Sequence, residues 1–368
     1  MNSLAEEAKQ YGDTERALAS ARRRRSLRRV AVSASATVAV ASVVLGLSAG
    51  LPDTEVTATA SKPPPSSPVA EQFPGACVAA RLPLPAGYRY GAVSAGDPTG
   101  RFMAGQLDPG DDSRRRPVFW ADGRIQLPSP PGLDPGFTDI NSRGAAVGTS
   151  TVRDTKGQLV TTAWYFHNGK FTTLKGERAA ASAINEQGVI VGTVNMAPAR
   201  WRDVGAEPEI LSLPPGVADL LEVHGIDEDG SMLGIPRVLW HPDGTPGRLP
   251  AGFAGLDIRH RWVSGSASRS GARLDLRTGR VEILDGQLQG VSSLISANGW
   301  VAGQAKDGTF RLATPSRHLD LAPPDRDMPA HGRLAFISDD GRTIGGVFGE
   351  EEKAGDGYRA ISVVWRCS

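Results

Sequence analysis

A ten-position pattern of apolar, polar and glycine residues recurs along the chain. It consists of a small or apolar residue, an apolar residue, Asn, Asp or Ser, two residues, Gly, two residues, an apolar residue and Gly. Apolar runs on either side of a polar turn with glycine predict two short strands joined by a tight turn. The best copies are residues 139–148 and 183–192, weaker copies are 225–234, 294–303 and 336–345, and an early relative with an insertion covers 93–105.

The spacing of the turn glycines predicts the number of units. These glycines are residues 100, 144, 188, 230, 299 and 341, so successive gaps are 44, 44, 42, 69 and 42. The gap of 69 is close to two shortened units, and a degenerate copy lies inside it at residues 258–265. The pattern therefore predicts seven units.

Each unit has a second half, in which an aromatic-rich strand leads to a turn and then to a strand with leucine. The turns include Asp122-Gly123 and Asn168-Gly169, and such pairs supply the positive φ angles of type I′ hairpins. Each unit is thus predicted to hold four strands. Tryptophan is expected at one shared place in five units, where it would pack one unit against the next: Trp120, Trp164, Trp201, Trp240 and Trp365.

Repeats of this length with four strands each are typical of a β-propeller. A single four-stranded sheet has two apolar faces and cannot bury both alone, whereas radial stacking covers them. The 44 glycines and 27 prolines also disfavour a helical bundle. The sequence predicts an all-β, seven-bladed propeller over residues 77–367.

The last unit lacks its fourth strand, because the chain stops at Ser368 after an aromatic third strand. The segment 77–85 has the leucine-proline pattern of a fourth strand, and we expect it to pair with residues 361–367. This pairing would place Cys77 beside Cys367, and a disulfide is expected if the domain faces an oxidising compartment. The alternative is two unrelated free thiols.

The chain before residue 77 has three parts. Residues 1–29 carry eight basic and four acidic side chains, and residues 30–51 carry no charge. A 22-residue uncharged run is long enough for a single transmembrane helix, and the arginines before it favour a cytoplasmic N-terminus. The alternative is a cleaved signal peptide, of which the twin-arginine type is one form. Residues 52–76 are rich in Pro, Ser and Thr, which predicts an extended linker.

The Ile-Asn-x-x-Gly-x-x-Val-Gly units, followed by Trp and Asn-Gly segments, resemble the extracellular repeats called HAF repeats. Together with the arginine-rich anchor and the proline linker, they resemble membrane-anchored proteins of high-GC Gram-positive bacteria. The resemblance covers roughly residues 92–367. It implies a propeller outside the cytoplasm, and it carries over no catalytic residue.

Candidate chemistry is sparse. The six histidines show no metal-like spacing, and no paired nucleophile or phosphate loop is evident, so we expect no metal, no cofactor and no catalytic set. The net charge of +1 argues against a nucleic-acid partner. The degenerate fifth unit places His260, Arg261 and Trp262 where the other units have a polar turn. We interpret these three residues as a ligand-binding surface, and simple drift of the repeat is the alternative.

Three functions are compatible with these features. The first is a monomeric, single-pass membrane protein whose extracytoplasmic propeller binds an envelope protein or glycan. The second is a propeller hydrolase or lyase that acts on envelope polymers. The third is a transmembrane sensor that signals through the cytoplasmic tail.

Overall fold

The computed structural model describes residues 72–108, 115–217, 222–284, 286–289, 293–325, 328, 332–351 and 358–368. These residues form 28 strands. No helix among them is long and apolar enough to cross a bilayer. The predicted transmembrane segment 30–51 and the greater part of the predicted linker lie outside the described residues.

The strands follow one another in consecutive groups of four, which we call units. Unit 1 is β2 (Tyr90–Gly96), β3 (Phe102–Asp108), β4 (Arg116–Ala121) and β5 (Arg124–Gln126). Unit 2 is β6 (Leu133–Ile140), β7 (Ala146–Arg153), β8 (Leu159–His167) and β9 (Lys170–Thr173). Unit 3 is β10 (Ala180–Ile184), β11 (Ile190–Val194), β12 (Ala197–Trp201) and β13 (Glu209–Ile210). Unit 4 is β14 (Glu222–Ile226), β15 (Met232–Ile235), β16 (Val238–Trp240) and β17 (Pro246–Arg248).

The later units follow the same order, except that the last takes a strand from the start of the domain. Unit 5 is β18 (Phe253–Arg259), β19 (Trp262–Ala267), β20 (Ser270–Asp275) and β21 (Arg280–Ile283). Unit 6 is β22 (Ser293–Ile295), β23 (Val301–Gln304), β24 (Phe310–Thr314) and β25 (Arg317–Leu321). Unit 7 is β26 (Gly332–Ile337), β27 (Thr343–Glu351) and β28 (Tyr358–Cys367), with β1 (Cys77–Arg81).

Hydrogen bonding within the described residues gives five four-stranded sheets, units 2 to 6, and one eight-stranded sheet. The larger sheet contains units 1 and 7, which are joined by a single parallel bridge between Gly91 and Ile361. Within every unit, consecutive strands pair antiparallel. The architecture is all-β and propeller-like, as the repeat predicts.

Apolar side chains form a separate cluster at each junction between consecutive units. Val191 of unit 3 packs with Val223 and Trp240 of unit 4, for example. A corresponding cluster joins the last unit to the first, because Phe336 and Val364 pack with residues of unit 1. Each sheet is therefore covered on both faces, which a sheet with two apolar faces requires.

The ends of the domain meet in unit 7. Strand β1 pairs antiparallel with β28, with Cys77 opposite Cys367 and Arg81 opposite Val363. The two cysteines form a disulfide. The predicted pairing of the first strand with the last and the predicted disulfide are both confirmed.

A β-bulge in the first strand explains the glycine that closes the repeat pattern. In unit 3 the strand register shifts between Ala181 and Ala183. The bulge pushes a carbonyl oxygen toward the second strand, so that a Cβ on Gly192 would overlap with the Ala180 oxygen. In the last unit the glycine at this register is Gly346, and not Gly345 as the sequence pattern indicates.

The turn glycine has a second role besides its positive φ. At three junctions, those at Gly100, Gly144 and Gly299, the residue that starts the second strand of one unit packs on the turn glycine of the next unit. A Cβ on Gly299 would lie 2.6 Å from the Trp262 ring, and one on Gly100 would lie 2.6 Å from Thr343. These contacts leave no space for a side chain, so glycine is required by sterics as well as by backbone conformation.

The tryptophan prediction is wrong for one of its five members. Four tryptophans pair with equivalent residues of their second strands, as Trp201 does with Ile190. In unit 2 the equivalent place, opposite Ala146, belongs to Phe166. Trp164 lies two residues earlier and is fully buried against Phe137 and Phe171.

Breaking the Cys77–Cys367 disulfide should lower the free energy of unfolding. The two cysteines are 290 residues apart, and closing a loop of that length restricts the unfolded chain by about 5 kcal/mol in the chain-entropy account. Urea denaturation with and without reductant measures the difference. Reductant should leave the Cys77→Ser/Cys367→Ser variant unchanged, and equal stability of the oxidised and reduced wild type would contradict the expectation.

Replacing Gly192 by alanine should destabilise the protein by about 2–3 kcal/mol, because the new methyl group overlaps with a main-chain oxygen that the bulge holds in place. Gly136→Ala is the matched control. Gly136 lies in a strand of unit 2 with a Cβ position 3.5 Å from the flexible Gln106 side chain, so its effect should stay within about 0.5 kcal/mol. Thermal and urea unfolding measure both variants, and similar losses would refute the steric explanation.

Candidate functional site

The first strands of the units surround an axial cavity of about 530 Å³. Drug-sized ligands occupy pockets of this size. In units 1 to 5 and in unit 7, a bulge in the first strand adds one residue that interrupts the in-out alternation of side chains, and this residue lines the cavity. The bulge residues that line the cavity are Ser94, Thr138, Ser182, His224, Leu256 and Ala335.

Two carboxylates hold neighbouring units together inside this cavity. Asp139 Oδ2 accepts a hydrogen bond of 2.8 Å from the Ile184 amide of the next unit. Asp257 Oδ2 accepts one of 2.9 Å from the Ile295 amide. Burial raises the pKa of Asp139 to about 6, and it also raises the pKa of Asp257.

A histidine and a glutamate form a pair on the first strand of unit 4. His224 Nδ1 lies 3.1 Å from Glu222 Oε1. Burial opposes the charged imidazole, but the hydrogen bond to the Glu222 carboxylate and the negative charge of Asp257 outweigh it, so the pKa of His224 is raised. The same hydrogen bond lowers the pKa of Glu222. Both side chains line the cavity.

The turns between first and second strands form one edge of the domain, which we call the turn rim. In units 1, 2, 3, 6 and 7, the polar residue of the repeat caps its own turn. Asn141 Oδ1 accepts the Arg143 and Ala145 amides, and its Nδ2 donates to the Asn185 carbonyl of the next unit at 3.1 Å. The repeat's polar residue is therefore a turn-capping residue, and the asparagines of units 2 and 3 also link each unit to the next.

The fifth unit departs from this arrangement because its turn is shorter. Arg259 pairs directly with Trp262, so only His260 and Arg261 make the turn and no inner amide needs a cap. Arg259 occupies the capping position, and its guanidinium lies 3.4 Å from Asp339 of unit 7. Arg259 thus lines the turn-rim end of the cavity.

The three residues that the sequence analysis selected have different environments. Trp262 is 8% exposed and lies between two guanidiniums, with Arg261 Cζ at 4.8 Å and Arg273 Cζ at 4.6 Å from its ring. Its position is that of a core residue. His260 Nε2 lies 3.5 Å from Asp339, and this carboxylate raises the pKa of His260.

A groove of about 1100 Å³ lies beside these residues on the turn rim. On one side, Arg261 and Arg277 are 48% and 67% exposed and share Asp275 at 3.8 and 3.9 Å. The opposite side comes from unit 4 and includes Asp227, for which burial raises the pKa to about 6. The apolar part of the lining is Leu239, Pro242, Trp262, Leu276 and Trp300.

The three residues selected from the sequence line the turn-rim groove, and none of them lines the axial cavity. Most residues of the axial cavity lie on the first strands, a few positions before the turn to the second strand. They belong to different chemical types, so no sequence motif groups them. The bulge is indicated in the sequence by one residue only, the repeated glycine that lies opposite it in the second strand. Within the described residues, no group of three or more His, Cys, Asp or Glu side chains could hold a metal ion.

No protein-family model matches the sequence, and no curated protein matches it significantly. Solved structures are similar in fold. YCF48 bound to a D1 peptide has a TM-score of 0.48 and 12% identity over 82% of this chain and 97% of that chain. The extracellular domain of a proposed one-component system from B. thetaiotaomicron has a TM-score of 0.50 and 8% identity over 77% of this chain and 39% of that chain.

The β-propeller domain of the trilobed protease from Pyrococcus furiosus has a TM-score of 0.47 and 13% identity, over 74% of this chain and 95% of that chain. At such identities the likeness concerns the fold alone. The resemblance to HAF repeats and the three candidate ligand-binding residues stay predictions.

Asp139→Asn tests the electrostatics of the cavity. The asparagine oxygen can still accept the Ile184 amide. Because the native pKa of Asp139 is about 6 and the usual value is about 3.9, the native state holds the proton more tightly, and stability falls as pH rises from about 4 to 6. The variant lacks this loss. The free energy of unfolding of Asp139→Asn, minus that of wild type, should therefore increase by on the order of 2 kcal/mol between pH 4 and pH 7.5.

Urea denaturation of both proteins at the two pH values gives this difference. Any pH-independent effect of the amide cancels, because only the change in the stability difference is compared. A stability difference that is the same at both pH values would contradict the raised pKa.

Proposed function

We propose that the protein is a membrane-anchored, extracytoplasmic β-propeller of seven blades that binds a protein or glycan of the cell envelope. The observation that carries this proposal is the turn-rim groove at the fifth unit. There the repeat abandons its capped turn, and two exposed guanidiniums border an apolar floor. Binding surfaces favour arginine and tryptophan in such settings.

The blade count follows from dividing the eight-stranded sheet at its single parallel bridge. Units 1 and 7 then each have four strands, like the five separate sheets. In this interpretation β1 completes the last blade, and the disulfide closes the ring.

The extracytoplasmic location rests on two independent features. Residues 30–51 form an uncharged run preceded by arginines, which favours a span with a cytoplasmic N-terminus. The Cys77–Cys367 disulfide favours an oxidising compartment. A retained anchor would keep the propeller near the envelope polymers and proteins that it is proposed to bind.

The two arginines on one side of the groove favour a partner with an acidic group there, while Asp227, Glu228 and Asp229 line the opposite side. Arg261 and Arg277 share one buried carboxylate, Asp275, at distances too long for hydrogen bonds. One guanidinium is therefore left to pair with a ligand. An acidic side chain of a protein, or an acidic group on a glycan, would form an ion pair with this guanidinium. An apolar part of the same partner would pack on Leu276.

Capture experiments with the full-length protein in detergent test this proposal. Wild type, Arg261→Ala/Arg277→Ala and Arg280→Ala are each incubated with membrane proteins and with cell-wall glycan fragments. Arg280 is an exposed arginine of the same unit that does not line the groove. We expect the double variant to lose about tenfold in affinity and Arg280→Ala to retain it. Equal capture by all three proteins, or none by the wild type, would overturn the proposal.

A further inference from the structure

An arginine without a hydrogen bond lines the turn-rim end of the axial cavity. The Arg259 side chain is 17% exposed, and its ion pair is with Asp339, whose Oδ1 lies 3.4 Å from Arg259 Nε. Neither of these two buried atoms has a hydrogen-bond partner. Within the part of the chain that the structure describes, the terminal nitrogens of Arg259 form no hydrogen bond either. Since a guanidinium carries five N–H donors in a planar fork, most of this donor capacity is available to a ligand.

Asp257 supplies acceptors on the same strand. Its Oδ1 accepts the Ile258 amide, and its Oδ2 accepts the Ile295 amide of unit 6, both at 2.9 Å. An ionised carboxylate offers about four lone-pair sites, so each oxygen can accept one more hydrogen bond. The Asp257 side chain is half-buried and lines the cavity. A ligand in the cavity can therefore approach this carboxylate.

The strand register places Asp257 and Arg259 on one face. Pairing with the second strand is regular from Asp257 to Arg259. Side chains two residues apart in a regular strand share a face, and their Cα atoms are about 6.6 Å apart. The contacts agree, because Asp257 bonds to unit 6 and Arg259 reaches unit 7. Ile258 points the other way, since a Cβ on Gly225 of unit 4 would lie 2.9 Å from it.

Further polar side chains surround the cavity. The bulge residues of units 1 to 4 are Ser94, Thr138, Ser182 and His224, and all four line it. The hydroxyls of Ser94 and Thr138 donate to main-chain carbonyls of the next unit at 2.9 and 3.0 Å, so their oxygens remain as acceptors. The polar groups are thus distributed around the axis and are not gathered at one point. A ligand that matches them carries polar groups around its perimeter.

The charges of the lining balance if the histidine is counted as protonated. The charged residues that line the cavity are Asp139, Glu222, Asp257, His224, Arg259 and Arg333. Glu222 and His224 are paired with each other at 3.1 Å. An anion placed on Arg259 would also meet Asp257 and Asp339, which repel it. The lining therefore favours a neutral polar ligand over an ion.

We propose that the axial cavity binds a neutral sugar, whose hydroxyls bridge the carboxylate of Asp257 and the guanidinium of Arg259. A hydroxyl both donates and accepts hydrogen bonds. One sugar hydroxyl donates to Asp257, another accepts from Arg259, and hydroxyls elsewhere on the ring contact the polar bulge residues. The cavity volume of about 530 Å³ lies in the range of small-ligand pockets. The site is separate from the turn-rim groove and does not depend on the partner proposed for that groove.

Calorimetric titration of the full-length protein tests the proposal, in a detergent whose headgroup contains no sugar. The probes are glucose, galactose and N-acetylglucosamine. Cyclohexanol, a six-membered ring with one hydroxyl, is the ligand control. We expect at least one sugar to bind saturably, with an affinity at least about tenfold above that of cyclohexanol. No saturable binding by any of the three sugars, or equal binding of cyclohexanol, would overturn the proposal.

Three variants locate the site. Arg259→Lys keeps the positive charge beside Asp339 but lacks the planar fork, and Asp257→Asn replaces one acceptor oxygen by a donor. Leu256→Trp enlarges the half-buried bulge residue of unit 5, which lines the cavity, without removing a polar group. Each variant should lose about tenfold or more in sugar affinity. Arg280→Lys should lose none, because Arg280 is 76% exposed on the outer strand of the same unit.

Circular dichroism and urea denaturation check that each variant is folded. Unchanged sugar affinity in a folded Arg259→Lys, Asp257→Asn or Leu256→Trp protein contradicts the axial site. Leu256→Trp remains informative if a charged-residue variant fails to fold, because it acts by filling space. The Arg261→Ala/Arg277→Ala protein should bind the sugar with unchanged affinity. Loss of sugar binding in that protein would place the sugar in the turn-rim groove instead, so the two proposals fail separately.

Discussion

A four-stranded unit of this protein has two apolar faces, and covering both faces of every unit is the constraint on which the rest of the structure depends. An apolar cluster joins each unit to the next, and the last cluster joins unit 7 to unit 1. A linear array of the same units would leave one apolar sheet face exposed to solvent at each end. The ring removes both bare faces at once, and strand β1 with the Cys77–Cys367 disulfide fixes the point of closure.

Ring closure brings the first strands of the units together around one axis, and their bulges determine what the axis contains. Each bulge adds a residue to the wall and moves a carbonyl oxygen toward the second strand. Glycine at that register, as at Gly192, makes this displacement sterically possible. The same backbone feature thus explains a repeated glycine and creates a cavity lined by residues as different as Thr138 and His224.

The fifth unit shows how a departure from the repeat changes the electrostatics of the axis. A two-residue turn needs no capping side chain, so an arginine can replace Asn, Asp or Ser. Arg259 then reaches Asp339 and acts on Asp139 and Asp257 from the turn-rim end. Trp262 instead serves packing, since the next unit's Gly299 lies against its ring. The residues that stand out in the sequence therefore divide between the core, the groove and the axis.

Local patterns in the sequence were sufficient to predict the four-stranded unit, the type I′ turns and the pairing of Cys77 with Cys367. These features depend on neighbouring residues or on a periodic repeat, both of which are visible in one dimension. The place of Trp164 was predicted wrongly, because strand register depends on the partner strand and Phe166 pairs opposite Ala146. The axial cavity was decided by tertiary structure alone. Asp139, His224 and Asp257 come from three units, and only the closed ring brings them to one cavity.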